Sequence, residues 1–364
     1  MRIAIIGTRG VPPRYGGFET FAAELGRRLV ARGHDVTVYA RSYLYPERPE
    51  TWEGIRLVHL PAVRHKYFET VSHAFLSSVH AAGARYDVAL LCNAANAFVL
   101  PILRAAGIPT ATNVDGIERM RKKWNVLGKL VYLGGEALSA TFSTRLVADA
   151  ETIAAYYRRR LGARPDVIAY GADFPEEEDG DILERLGLTS GRYVLYVSRF
   201  EPENHPVEVA AAYGRVETDL PLVMVGSAPY AGELIEALRG TADERTILPG
   251  AIFGRDYRTL QRQAALYVQA TEVGGTHPAL IEAMGSNGVV LALDTPENRE
   301  VGGDAVRYFR FDGAPRLEQV LSDALAADPG PWRRRARERV AAKYRWDAIT
   351  DAYEHVFEEM TGGA

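Results

Sequence analysis

Arg2-Ile3-Ala4-Ile5-Ile6-Gly7 is followed by Phe18 to Arg32 and then by Val36 to Ala40. The first stretch is an apolar run of strand length that ends in glycine. The second places Phe21, Ala22, Leu25 and Leu29 at helical spacing, and the third is again a short apolar run. Strand, helix and strand in this order predict a βαβ unit, whose two strands must lie parallel. Arg56 to Leu60, Val88 to Cys92, Thr110 to Asn113 and Leu146 to Ala148 continue the series. They lack the alternation of a half-exposed sheet, as expected of strands covered on both faces.

Near Tyr170-Gly171-Ala172-Asp173-Phe174-Pro175 the pattern breaks into the acidic stretch Glu176 to Asp181, which reads as a linker. A second series follows: strands at Tyr193 to Ser198, Leu222 to Val225, Thr246 to Leu248, Leu266 to Ala270 and Val289 to Leu293, with helices such as Pro206 to Tyr213 and Tyr257 to Ala265 between them. The expected fold class is α/β, two tandem doubly wound parallel-sheet domains over 1–172 and 173–340, their strand-end loops facing one cleft. Arg333 to Glu359 is helical in pattern and is expected to be a solvated amphipathic helix capping the fold. The segment 341–364 is expected to pack back on the first domain.

A length of 364 residues suits two domains, and 47% hydrophobic with 25% charged residues excludes disordered and fibrous classes. The opening run is far shorter than a signal-peptide core, and no stretch approaches a membrane span. With Cys92 as the one cysteine, no internal disulfide forms, so a reducing cytoplasm is the expected setting. The net charge of -4 divides unevenly: residues 1 to 170 hold 23 Lys/Arg and 14 Asp/Glu, net +9, and residues 171 to 364 hold 20 and 33, net -13. A basic half predicts an anionic partner, lipid headgroups or a phosphorylated acceptor. Nucleic acid is disfavoured, because no reading module and no interleaved stacking aromatics are present.

Four loops carry the chemistry. Gly7 to Thr20 is glycine-rich and feeds a helix, but it matches neither G-x-G-x-x-G nor G-x-x-x-x-G-K-[ST]. Gly16 and Gly17 can bring backbone N–H groups close to an anion, or simply make a tight turn. Val273-Gly274-Gly275-Thr276-His277-Pro278 opens a helix at Pro278. The free N–H groups and positive dipole end at Gly274, Gly275 and Thr276 suit a diphosphate, with Glu282 one turn in to accept from sugar hydroxyls; a salt-bridged surface carboxylate is the plain alternative. Arg199, in Ser198 to Asn204, can pair with phosphate oxygens. Asp115 and Glu118 stand past a first-domain strand, ahead of the basic, aromatic run Arg119 to Trp124, which Arg64 to Tyr67 extends. That run suits an anionic lipid surface or an acceptor pyrophosphate, though most basic runs are solvated.

Together these loops, with Val71-Ser72-His73 and Cys92 to Asn96, resemble the retaining glycosyltransferases of the GT-B fold, specifically glycosyltransferase family 4 and its bacterial rhamnosyltransferase-like branch. The resemblance implies a nucleotide sugar as donor, held in the second domain, and an acceptor held in the first. It implies transfer with retention and without metal or cofactor. Of the family's two glutamates seven residues apart, Glu282 matches the second, and the first falls on Gly274. Arg199 matches a phosphate-binding arginine, and Asn204 stands where relatives carry a lysine. The resemblance assigns Asp115, Arg199 and Glu282 to catalysis. It assigns Gly16, Gly17, Gly274, Gly275 and Thr276 to the donor as well, and His73, Asp115, Glu118 and Arg121 to the acceptor. The implied activity is transfer of a sugar, with L-rhamnose the candidate, from a dTDP- or UDP-sugar to a saccharide or lipid-linked acceptor in cell-wall, capsule or exopolysaccharide synthesis, in the cytoplasm or at the inner face of the membrane. A nucleotide-sugar 2-epimerase or a non-catalytic nucleotide-sugar-binding protein is the alternative. Asp179-Gly180-Asp181 matches the D-x-D of metal-dependent sugar transferases but lies in the linker, so no metal site is expected there. No metal-ligand spacing of histidines occurs elsewhere.

Overall fold

The computed structural model describes residues 1–362 except 15, 66–67, 122–124, 174–178, 228–231 and 287. It divides into two units: Met1–Met120, residues 125–171 and Trp346 onward form the first, and Ala172–Arg345 with Arg121 form the second. The heart of the linker, 174–178, therefore lies outside the described residues.

The first unit holds β1 (Arg2–Ile6), β2 (Asp35–Arg41), β3 (Thr51–Trp52), β4 (Ile55–Leu60), β5 (Val88–Cys92), β6 (Thr110–Asn113), β7 (Arg145–Ala148) and β8 (Asp166–Val167). They form one sheet in the order β3-β4-β2-β1-β5-β6-β7-β8, parallel except for the β3–β4 hairpin. Its helices are α1 (Gly17–Ala31), α2 (Glu69–Ala84), α3 (Leu100–Ala105), α4 (Val126–Phe142) and α5 (Glu151–Leu161). The apolar runs are strands because both faces are covered: β1 and β5 are buried at nearly every position. Ala4, Ile6, Ala89 and Leu91 of one face pack with Ala74 and Ala81 of α2, Leu103 of α3, and Leu138 and Phe142 of α4.

The second unit holds β9 (Val194–Val197), β10 (Leu222–Val225), β11 (Thr246–Gly250), β12 (Leu266–Gln269), β13 (Val289–Leu293) and β14 (Arg307–Phe309). Its sheet is parallel throughout, in the order β11-β10-β9-β12-β13-β14. Its helices are α6 (Ile182–Arg185), α7 (Pro206–Tyr213), α8 (Gly232–Thr241), α9 (Gly254–Gln263), α10 (Pro278–Gly285), α11 (Pro296–Gly302), α12 (Leu317–Ala326) and α13 (Gly330–Lys343). In each sheet the strand order reverses once, between β1 and β5 and between β9 and β12. These switch points are where loops diverge above and below the sheet and leave a crevice at the carboxyl ends of the strands.

The stretch read as one helix from Arg333 is two, α13 and α14 (Trp346–Thr361). The break has a cause: Ala172 N–H donates to Tyr344 O at 2.7 Å and Ala172 bridges to Arg345, which draws that backbone out of the helix. Neither piece is simply solvated. Ala336 and Val340 of α13 are buried, and α14 buries Trp346, Tyr353 and Phe357 against the first unit, where Tyr353 and Trp346 meet Phe21 of α1.

Candidate functional site

In the second unit, Arg199 follows β9 and the Gly274 loop follows β12, its neighbour across the switch point. The Arg199 backbone is braced on several sides. Ser198 N–H donates to Val225 O at 3.1 Å, Phe200 N–H to Ser227 O at 3.0 Å, and Asn204 Nδ2 to Arg199 O at 2.6 Å. Gly226 lets this loop pass, since a Cβ there would lie 2.0 Å from Ser198 O. The Arg199 side chain is 38% exposed and its ion pair with Glu201 is a loose 3.7 Å. Asn204, at the position of the family's lysine, is buried, and its amide braces the loop. Arg121 groups with this unit: it is buried, with Nη1 3.2 Å from Glu201 and 3.4 Å from Glu203. Glu272 N–H donates to Glu203 O at 2.8 Å and so ties the two loops together.

The helix α10 starts at Pro278 with His277 as an N-cap that makes no side-chain cap bond. Gly275 and Thr276 are buried beside it and Gly274 is half-buried. Glu282 is half-buried one turn in, where Tyr257 donates to its Oε2 at 2.5 Å and Gln261 donates to Tyr257 at 2.7 Å. A carboxylate held by a tyrosine relay has its direction fixed, which suits neutral hydroxyl donors.

His277 was not among the expected site residues. Asn298 is fully buried and donates through Nδ2 to Thr271 O (3.1 Å) and Leu293 O (2.9 Å), so its Oδ1 accepts from His277 Nδ1 at 2.8 Å. Burial holds the His277 imidazole down at about 4, so the ring is neutral at pH 7 with its bare Nε2 turned to the loop. A Cβ on Gly274 would lie 2.4 Å from that Nε2. The ring thus occupies the volume through which a side chain at 274 would leave, a pairing invisible in sequence because Asn298 is 21 residues away. Gly274→Ala is expected to cost about 1–3 kcal/mol of stability by overpacking. The same change made in a His277→Ala background should cost almost nothing, as read by denaturant unfolding of the four chains. Equal costs in both backgrounds would remove the ring from the account.

In the first unit the loops at the β1/β5 switch point are close-packed: a Cβ on Gly7 would lie 2.4 Å from Cys92 O. Gly16 is the N-cap of α1 and Gly17 its first residue. Glu19, in the first turn, is buried and accepts from Arg9 N–H at 2.9 Å; burial pushes its carboxyl above the usual range. The positive end of α1 already faces this carboxyl group. Asn93 and Asp115, past the adjacent strands β5 and β6, both have left-handed backbones, with φ 75° and 52°. Asp115 N–H donates to Asn113 Oδ1 at 2.9 Å, and Asn113 Nδ2 to Tyr353 at 2.8 Å, so α14 supports the loop. Paired strained residues at strand ends are a frequent mark of a binding edge. Asp115 and Glu118 are half-buried there, whereas Arg119 turns away to Glu136 (3.2 Å) and Tyr156 (2.8 Å).

His73 is 1% exposed with neither ring nitrogen hydrogen-bonded. Burial, with the Arg41 charge adding to it, holds its imidazole down at about 4. Beside it Arg41 is ion-paired with Glu69, which also accepts from Tyr43, and Arg41 donates to Thr70 at 3.1 Å. This Arg41–Glu69 pair was missed in the sequence, where an arginine ending β2 and a glutamate opening α2 look like two solvated charges. The Asp179-Gly180-Asp181 carboxylates are in ion pairs, Asp179 with Arg262 (2.5 Å) and Asp181 with Arg185 (2.9 Å). Among the described residues no group of three or more His, Cys, Asp or Glu is placed to hold a metal.

Residues 16–171 match the family model described as Glycosyl transferase 4-like domain, and residues 191–323 match Glycosyl transferases group 1. None of the curated proteins matches the chain. Among solved structures it is similar to sucrose-phosphate synthase from Thermosynechococcus elongatus, with a TM-score of 0.84 at 19% identity over 100% of both chains. It is also similar to HepE of Anabaena in complex with UDP-glucose (TM-score 0.77, 14% identity, 99% of this chain and 100% of that one). A third is the α,α-trehalose-phosphate synthase of Burkholderia xenovorans in complex with glucose-6-phosphate (TM-score 0.76, 11% identity, 98% and 100%). At such identities the structural likeness speaks for the fold, and the two domain models speak for the chemistry. With a 4-like domain on the first sheet and a group 1 domain on the second, the chain is a glycosyltransferase of the GT-B fold.

Proposed function

We propose that the chain is a family 4 enzyme of the rhamnosyltransferase-like branch. In this reading it moves a sugar with retention, L-rhamnose being the candidate, from a dTDP- or UDP-sugar to a saccharide or lipid-linked acceptor of cell-wall, capsule or exopolysaccharide synthesis. The observation that carries this reading is the convergence at the β9/β12 switch point of Arg199, the start of α10 at Gly274, Gly275 and Thr276, and the tyrosine-held Glu282. Arg199 and the start of α10 suit an anion, and Glu282 suits ribose hydroxyls. HepE, of the same fold, is seen with UDP-glucose, which supports a nucleotide sugar as the ligand.

In this reading Glu282 accepts from the ribose hydroxyls. Arg199 and the N–H groups at the start of α10 stabilise charge that grows on the leaving diphosphate, an effect largest in the transition state and requiring neither metal nor cofactor. Asp115, Glu118 and His73, at the carboxyl edge of the first sheet, orient the acceptor hydroxyl. The diphosphate oxygen that loses the sugar takes the acceptor's proton, so that charge and atoms balance. In this reading the enzyme works in the cytoplasm or at the inner face of the membrane.

The test is thermal stabilisation by a panel of dTDP, UDP, GDP and their sugars. A ligand at 100 times its Kd adds about 2.7 kcal/mol, so dTDP or UDP is expected to raise the midpoint by several degrees. No response to any member would overturn the reading, and turnover of the nucleotide sugar without acceptor would replace it with a 2-epimerase.

A further inference from the structure

The loop from Arg199 to Asn204 carries two carboxylates, Glu201 and Glu203, and its charges are shared with a second arginine from elsewhere in the chain. Glu203 is fully buried, and a buried carboxylate is costly unless a cation meets it. Arg121 meets it: its Nη1 donates to Glu203 Oε1 at 3.4 Å and to Glu201 Oε2 at 3.2 Å. Glu203 Oε2 has no hydrogen-bond partner among the described residues, so loss of Arg121 would leave a buried charge poorly compensated.

Arg199 approaches the other oxygen of Glu201, Oε1, and stops at 3.7 Å. The two arginines differ in burial: the side chain of Arg121 is 8% exposed and that of Arg199 is 38% exposed. Opposite charges attract more strongly where water is excluded, so the buried arginine holds Glu201 and the exposed one keeps its fork open. The backbone leaves little room for any other settlement. Glu201 N–H donates to Arg199 O at 2.8 Å and Asn204 N–H to Glu201 O at 2.9 Å. These bonds fold residues 199 to 204 into a tight turn, which keeps the Glu201 side chain within reach of both guanidinium groups. Burial first, and the Arg121 charge with it, hold the His277 imidazole down at about 4, so this guanidinium also acts at the start of α10.

We propose that Arg121 is a positioning residue of the donor side: pinned by buried Glu203, it holds Glu201 off Arg199 and keeps the Arg199 guanidinium open for a diphosphate. The inference rests on the transferase reading for the identity of the anion, and it moves Arg121 out of the acceptor set that the resemblance implies. Asn204 makes the arrangement matter. With no lysine there, a closed Glu201–Arg199 pair would neutralise the one cation that this loop brings to the site. A carboxylate on that fork competes directly with phosphate, because both take the same parallel N–H groups.

The test uses the full chain with Arg121→Gln and Glu203→Gln together, which removes the buried pair without isolating either charge, and the same chain with Glu201→Gln added. Two readouts follow Arg199. In the unliganded chain, its modification by phenylglyoxal, read by peptide mass spectrometry, is expected to slow about 5-fold in the double variant and to recover in the triple one. Affinity for the nucleotide that the thermal panel selects, or for inorganic pyrophosphate if the panel is silent, should fall about 10-fold in the double variant and return to within about 2-fold of wild type in the triple one. Unchanged Arg199 reactivity in the double variant overturns the proposal. So does a loss that Glu201→Gln fails to restore, which would make Arg121 a structural residue or a direct ligand of the anion. A double variant altered only in its acceptor KM would return Arg121 to the acceptor and also overturn it. Modification that slows and recovers, in a chain that binds neither nucleotide nor pyrophosphate, would support the hold of Arg121 on Glu201 and remove the transferase reading.

Discussion

Glu282→Ala is expected to weaken nucleoside diphosphate binding by about 100-fold or more. A hydrogen bond to a charged group contributes about 1.5–3 kcal/mol, and a ribose offers two hydroxyls to one carboxylate. The loss should show in calorimetric titration with the nucleotide that the thermal panel selects, while the unliganded chain keeps its fold. Leu280, Ile281, Ala283 and Met284, which anchor α10, are untouched by the change. Tyr257→Phe removes the hydroxyl that aims the carboxylate but leaves its charge, so a smaller loss of about 10-fold is expected. Unchanged titration in Glu282→Ala would sink its ribose role and leave it a helix-face carboxylate with a tyrosine partner.

Arg199→Ala is expected to lower kcat by about 100- to 1,000-fold, with a smaller change in the donor KM, because the guanidinium meets charge that becomes largest as the sugar–diphosphate bond breaks. The effect is large here because Asn204 supplies no second cation in the same loop: its amide is committed to Arg199 O. Arg199→Lys keeps a charge but not the planar fork and should recover part of the rate. Single-turnover measurement with saturating donor checks this; a rise in KM with kcat unchanged would move Arg199 from the transition state to ground-state binding.

Much of the fold was legible because of one physical fact. A parallel strand covered on both faces must be apolar at consecutive positions, so β1, β5, β10 and β13 stand out as runs with boundaries set by solvent. The short edge strands β3, β8 and β14 leave no such mark, since few of their residues are buried. Periodicity also says only that a helix has an apolar stripe, not which way it faces. In α2 and α4 the larger apolar groups face out, and only the packing of Gly135 on Ala94 and of Ala74 on the sheet shows it.

The site divides in the same way. Sequence alone put Arg199, the Gly274 loop and Asp115 just past strands, and so at the carboxyl edge of a parallel sheet, with Glu282 in the helix that follows the Gly274 loop. Pairings across long sequence separations were decided by the tertiary structure: His277 with Asn298, Arg41 with Glu69, Arg121 with Glu201, Tyr257 with Glu282. Each depends on two elements meeting in a particular register, and a linear pattern carries no information about that register until the strands and helices have packed.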